Sequence, residues 1–404
     1  MLDDKLKALW TPISPPQKAA FFGCFLSGYL VHLYVFTNII PNSDGLSRIF
    51  DPQQMTVSGR WFLHFASYFN GFTQMPAVIG LFSVLFLALA AALAVSLLGI
   101  RSRALSALSG ALMAAFPAVG YTFLYLFTAS AYCFAIFLAV LSVSLARRGR
   151  WHWLAGCLLL ACSMGTYQAY VTVAIGLSLL VIFRETLDPS ASFSATLRLG
   201  VRLMLFLAAG AVLYYGILLV FLQVKDLELL SYLGMDAASS GYPFSRLPGL
   251  LLDTYKQVAA FFFLPGSANT FTSGWMAVLD LAALALGGGC FLLCMGQEGL
   301  WRARWRPLGG LAMLALLPLG INFGQILSPW SAPTPLMKYA FVLVYLAVVL
   351  LADRALPAAG AGASVLRRRA APCAALWLVL LLLFSLNTNN RLYTASAQAH
   401  RATL

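Results

Sequence analysis

The sequence predicts an all-α protein, a polytopic transmembrane helix bundle of about eleven spans. Composition is the first ground. Of 404 residues, 61% are hydrophobic and only 10% charged, and the mean hydropathy is +0.84, well outside the range of a soluble globular domain. Patterning is the second. The apolar residues fall in repeated runs of roughly 18 or more, each long enough to cross the hydrocarbon core. A segment in lipid must satisfy its own backbone hydrogen bonds, so each run is read as a helix.

The first span, about residues 19–40, follows the Pro15-Pro16 pair and a lysine-bearing start (Lys5, Lys7, Lys18). It is too long for the apolar core of a signal peptide, and no small-x-small cleavage site follows it. Residues 41–74 then form a first long loop. Its end, Val57 to Asn70, is expected as a short amphipathic helix at the membrane interface, with Arg60, His64 and Ser67 on one face and Trp61, Phe65 and Phe69 on another.

Span two, 75–99, ends at Arg101 and Arg103. Spans three and four, 104–119 and 128–146, form a hairpin about Phe116-Pro-Ala-Val-Gly-Tyr121, closed by Arg147, Arg148 and Arg150. Spans five and six, 152–166 and 169–184, turn at Gly165-Thr-Tyr-Gln-Ala-Tyr170 and return to Arg184-Glu185. Span seven covers 199–222. A second long loop, 223–272, holds a further expected interfacial helix near 246–263. Spans eight to eleven follow at 274–295, 307–327, 338–353 and 371–387, leaving a short tail at 388–404. Residues 1–404 are read as one membrane-integrated domain.

Lysine plus arginine number 26 against 13 acids. The basic residues sit in small clusters between apolar runs, which is the positive-inside signature and not a nucleic-acid surface. Eighteen fall on the side of the N-terminus and eight on the other. That bias predicts a cytoplasmic N-terminus and a periplasmic C-terminus in a bacterial inner (cytoplasmic) membrane, with membrane lipids as the surroundings and no nucleic acid partner. The seven cysteines, all within apolar segments, read as small packing residues and not as a disulfide framework. No Walker loop or G-x-G-x-x-G is present, Gly287-Gly-Gly289 reads as a helix-packing patch, and no cofactor or metal is expected.

The unusual polar residues gather on the periplasmic side. They are Asp44, Arg48, Asp51 and Arg60 in the first loop, Tyr167-Gln168, the acidic stretch 226–253, Asn322 and Gln325, and Lys338. Asp280, inside span eight, reads equally as a structural hydrogen-bonding group or a proton carrier. With no nucleotide-binding pattern, an enzyme here draws its activated substrate from the membrane. A lipid-phosphate donor needs cations for its phosphate, and an acceptor hydroxyl needs a carboxylate base. The outer face supplies both.

An aspartate just after the first span (Asp44), Ser58-Gly-Arg-Trp61, and the turn Gly165-Thr-Tyr-Gln-Ala169 together resemble the bacterial glucosyltransferase-II family, O-antigen-modifying enzymes of the GT-C superfamily. The resemblance implies a GT-C-like bundle and an inverting transfer of a hexose, typically glucose. The donor is a polyprenyl-phosphate-linked sugar, and the acceptor is a cell-surface glycan or a lipid-linked acceptor on the periplasmic side. Asp44 matches the expected catalytic carboxylate, and Asp51 shares that role or holds Arg48 or Arg60. Arg60 and Lys338, with Arg48 and Arg391, are the donor-phosphate candidates. Trp61, Tyr167 and Gln168 are sugar-binding candidates, the two rings being alternatively interfacial belt residues. His64 is read as a phosphate contact or a structural residue. An exporter of lipid-linked glycans is the competing reading; it requires cations lining an interior cavity, and the sequence supplies none. An O-antigen polymerase is the third, and it favours arginine-rich outer loops.

Overall fold

The computed structural model describes residues 11–40, 56–69, 75–229, 244–266, 273–328, 334–356 and 365–402. Asp44, Arg48 and Asp51 lie outside the described residues. Among the described residues the secondary structure is entirely helical. In chain order the helices are α1 (Pro15–Thr37), α2 (Leu63–Ala66), α3 (Pro76–Leu98), α4 (Arg103–Ala115), α5 (Pro117–Phe123), α6 (Leu126–Ala146), α7 (Arg150–Thr166) and α8 (Val171–Thr186). They continue with α9 (Phe193–Val224), α10 (Leu247–Phe263), α11 (Gly274–Gly296), α12 (Trp305–Ile321), α13 (Phe323–Leu327), α14 (Val342–Arg354) and α15 (Val365–Ala402). Short 3₁₀ turns at Ser67–Phe69, Gln168–Tyr170 and Pro335–Phe341 precede or follow some of them.

Eight helices of the described residues are long and apolar enough to cross a membrane, or nine if the bent pair α4–α5 counts as one span. The expected count of about eleven is therefore not reached. The expected spans at 152–166 and 307–327 are the 17-residue helices α7 and α12. At about 25 Å each, they fall short of the roughly 30 Å hydrocarbon thickness. The expected span 104–119 breaks at Phe116 with a bend of 41° and counts only as the pair α4–α5.

That break has a local cause. Pro117 carries no N–H for the carbonyl of Met113, and the residue before a proline is pushed out of the helical region. Phe116 accordingly sits at φ −54°, ψ 129°. Carbonyls freed inside a lipid-embedded bundle must find other donors. Three helical elements supply them. Tyr339 Oη donates to Met113 O at 3.3 Å, His32 Nε2 to Ala114 O at 2.9 Å, and Asn389 Nδ2 to Ala115 O at 2.7 Å. Because His32 spends its Nε2 proton on a carbonyl, the neutral ring accepts at Nδ1 from the Tyr393 hydroxyl, 2.6 Å away.

The same contact explains α15. The sequence expected a span ending near 387 and a short tail, whereas α15 runs for 38 residues to Ala402. Its polar stretch is held in the helix because Asn389 and Tyr393 are buried against the α4–α5 break. The expected helix near 246–263 is present as α10, whose Phe261 and Phe262 pack on Phe341.

At the opposite end of the bundle, basic side chains close helix C-termini, where the last carbonyls lack partners. Arg184 donates to Leu97 O of α3, Arg202 to Ala146 O at the end of α6 and to Arg148 O just after it, and Arg306 to Thr186 O at the end of α8 and to the carbonyls of Asp188, Pro189 and Ala191 beyond it. Asp353 does the converse. Its buried carboxylate accepts the amides of Arg101 and Ser102 at 3.0 and 2.8 Å, at the N-terminus of α4. Asp280, inside α11, is buried.

Asn389→Leu keeps the side-chain size but leaves Ala115 O without its donor. It should cost about 1–2 kcal/mol, read as a lower thermal unfolding midpoint in detergent. An unchanged midpoint would remove Asn389 from the support of the break.

Candidate functional site

Residues 41–55 are bounded on both sides by buried residues, Ile40 before them and Thr56-Val57-Ser58 after. The chain then makes a tight turn closed by Gly59 N to Thr56 O at 2.9 Å. Gly59 has φ +78°, a left-handed conformation in which a side chain would clash with its own backbone. The turn delivers Arg60, Trp61 and Phe62 onto the turn between α7 and α8. The Phe62 amide donates to Gly165 O at 2.7 Å. Trp61 lies so close to Gly165 that a Cβ there would stand 2.6 Å from the ring's Cε2. Only glycine permits that approach.

Gln168 completes the junction. Its Nε2 donates to Ser58 O at 2.9 Å and to the Tyr214 hydroxyl at 3.2 Å, and that hydroxyl donates to Gly59 O at 3.1 Å. The non-helical backbone of residues 58–62 is thus bonded by α7, the Gln168–Tyr170 turn and α9 together, as a segment inside a bundle must be. The two stretches the sequence singled out, Ser58–Trp61 and Gly165–Ala169, are in direct contact.

Arg60 is held from two sides. Nε donates to Ser58 Oγ at 2.9 Å and Nη1 to the Tyr132 hydroxyl at 3.1 Å. Tyr132 in turn stacks on Tyr167, ring centroids 4.6 Å apart at 24°, and Tyr170 stands edge-on to both. Tyr132 lies six residues beyond Leu126, the start of α6, so Arg60 engages α6 about 9 Å below its first residue. The guanidinium plane is therefore fixed inside the bundle end.

The expected amphipathic helix over residues 57–70 is corrected by this geometry. Helix α2 spans only Leu63–Ala66, and Arg60 and Trp61 precede it. The predicted division of faces fails: Trp61, Leu63, Ala66 and Ser67 are buried while Phe65 is exposed. Trp61 is 6% exposed and stacks with Phe221 at 5.7 Å and 19°, leaving little ring surface for a sugar. Tyr167 is likewise buried in its tyrosine stack. His64 packs edge-on to Phe65 and Tyr68.

Lys338 sits in the 3₁₀ turn Pro335–Phe341, which packs against Gln168–Tyr170 and against α5. It is buried, with Nζ 5.6 Å from the centroid of Phe261. Its backbone departs from helical geometry (φ −91°, ψ 18°), where the turn gives way to α14. Asn322 Nδ2, after α12, donates to Gln257 Oε1 of α10 at 3.2 Å. Arg391 lies on the exposed side of α15, within a turn of Asn389 and Tyr393. The sequence reading missed Tyr132, Tyr214 and Lys225. The Lys225 Nζ lies 3.4 Å from Thr56 Oγ1 and 5.6 Å from the Phe221 ring, which puts a further cation at the end of the first loop. A tyrosine well inside an apolar run was the available signal, because its hydroxyl needs a partner there.

One end of the bundle thus collects an arginine of fixed orientation and Lys225 where residues 41–55 rejoin the helices, with Lys338 on the turn that packs against Gln168–Tyr170. Such a set can hold a phosphate anion against the membrane. Residues 33–384, nearly the whole chain, match the family model described as Glucosyl transferase GtrII. Searches of curated proteins and of solved structures found no match.

Two substitutions test the junction. Gly165→Ala should displace the Trp61 ring at a cost of about 1–3 kcal/mol, seen as a shift in indole fluorescence and a lowered unfolding midpoint. Tyr214→Phe strips a donor from Gly59 O and an acceptor from Gln168, and should lower the midpoint by the equivalent of about 1 kcal/mol. Unchanged fluorescence in the first variant would contradict the packing of Trp61 on residue 165.

Proposed function

The chain belongs to the glucosyl transferase GtrII family, and from that membership we propose a specific reaction. Glucose passes from a polyprenyl-phosphate donor to a cell-surface glycan or lipid-linked acceptor at the periplasmic face of a bacterial inner membrane. That the protein is a glucosyltransferase with a sugar donor and an acceptor follows from the family. The donor, the side and the residue roles are our reading. The family match carries it, because residues 33–384 include both the first loop and the turn on which its end is docked.

Asp44 acts as general base. It takes the proton of the acceptor hydroxyl as that oxygen attacks the anomeric carbon, and the bond from that carbon to the phosphate oxygen breaks on the opposite face. The electron pair leaves with the polyprenyl phosphate, the proton stays on Asp44, and the configuration inverts. Negative charge on the phosphate grows as the sugar departs, so cations placed there stabilise the transition state more than the bound donor. Arg60 and Lys338 fill that role, with Arg48 and Arg391 as further candidates. Asp51 shares the base's work or orients Arg48 or Arg60. Trp61, Tyr167 and Gln168, given their burial and contacts, act chiefly by holding the Arg60 segment. The basic clusters at the far end of the bundle support the orientation, since arginine-rich ends remain cytoplasmic.

The direct test uses purified protein in detergent with a polyprenyl-phosphate glucose donor. Asp44→Asn retains size and polarity but cannot take the proton, so transfer should fall by about 10²–10⁴-fold. Arg60→Ala should be more damaging than Arg60→Lys, and Lys338→Ala should reduce turnover even at saturating donor. Near-parental transfer by Asp44→Asn would move the base elsewhere, and parental rates in both alanine variants would refute the cation pair.

A further inference from the structure

The far end of the bundle holds a feature that sugar transfer does not use. Between the start of α7 and the start of α9 lies an open groove of about 640 Å³. Its walls are Leu154 from α7 and Leu197, Val201 and Leu205 from α9, all exposed. Three arginines, Arg150, Arg198 and Arg202, also line it. The α9 wall of the groove runs from Leu197 to Leu205, about 12 Å along the helix. That is close to the depth of one leaflet's hydrocarbon, about 15 Å.

The arginines are not all equivalent. Arg202 is committed to the α6 C-terminus through Ala146 O and Arg148 O, and the Trp153 indole donates to its carbonyl at 3.4 Å. It contributes a fixed charge and ties α7 to α9. Arg150 and Arg198 are exposed, the first lying over the Trp151 ring at 4.8 Å and the second donating Nε to Ser194 O of its own helix. Among the described residues no carboxylate lines the groove. Glu185, on the same end of the bundle, is already bound by Arg147 and Arg184 at 3.5 Å each.

In a membrane, an exposed apolar trough of this kind is filled by acyl chain. A rim of guanidinium groups without a neutralising acid selects the headgroup above that chain. We propose that this groove is a binding site for an anionic glycerophospholipid, phosphatidylglycerol being the simplest. Its acyl chain lies along Leu154, Leu197, Val201 and Leu205, and its phosphate lies between Arg150 and Arg198. The charge complementarity commits the site to a phospholipid of the surrounding bilayer.

Native mass spectrometry of the full chain, released from detergent with graded phosphatidylglycerol or chain-matched phosphatidylcholine, tests this. The parental protein should retain one phosphatidylglycerol at concentrations at least about tenfold lower than phosphatidylcholine. Arg150→Gln combined with Arg198→Gln should weaken that retention by about thirtyfold, whereas the paired lysine variants should keep most of it. Equal retention of the two lipids by the parental protein would overturn the proposal, as would an unchanged preference in the glutamine pair. Displacement of bound phosphatidylglycerol by equimolar polyprenyl phosphate would also overturn it, by assigning the groove to the donor lipid. Should the glutamine pair fail to fold, the comparison of the two lipids on the parental protein decides.

Discussion

The hydrogen bond from the Phe62 amide to the Gly165 carbonyl, with Trp61 laid on the bare backbone of Gly165, is the contact on which the site depends. It fixes where the first loop returns to the bundle. Residues 58–62 are non-helical and largely buried, a state that lipid surroundings tolerate only if the backbone groups find partners within the protein. Ser58 O, Gly59 O and the Phe62 amide each have one, supplied by Gln168, Tyr214 and Gly165. Arg60 follows from that arrangement, since its position between Ser58 and Tyr132 requires the segment to lie where it does.

The same constraint organises the rest of the molecule. Where Pro117 breaks a span, Tyr339, His32 and Asn389 converge on three successive carbonyls, and this draws α1, the turn before α14 and α15 around α4 and α5. Where helices end at the other side, arginines take the last carbonyls. The basic residues that signal topology in the sequence therefore also close helices in the structure. The two ends of the bundle have different chemistry for this reason. One gathers buried polar side chains and the cations Arg60, Lys225 and Lys338, and the other gathers arginines that cap helices and rim a groove.

Much of this was legible in the sequence. The apolar runs located the helices, and Ser58–Trp61 and Gly165–Ala169 were identified as the stretches that matter. What failed was reasoning from one periodicity. The helical register of residues 57–70 runs through Gly59, but a left-handed glycine makes a turn there, so Arg60 and Trp61 are not on α2 and the division of faces does not hold. Residues 388–402 looked like a polar tail because the partners of Asn389 and Tyr393 lie more than two hundred positions away in sequence. Tyr132 and Tyr214 were hidden inside apolar runs, where only a long-range contact reveals why a hydroxyl is present.

The central claim is that sugar transfer occurs where the first loop docks on the turn between α7 and α8. Photo-crosslinking with a polyprenyl-phosphate glucose analogue carrying a diazirine on the sugar, followed by peptide mapping, tests it most directly. The account predicts adducts within residues 41–61 and 165–170, competed away by unlabelled donor. Competable adducts confined to the arginine-capped end, around Arg101, Arg147 and Arg306, would contradict it.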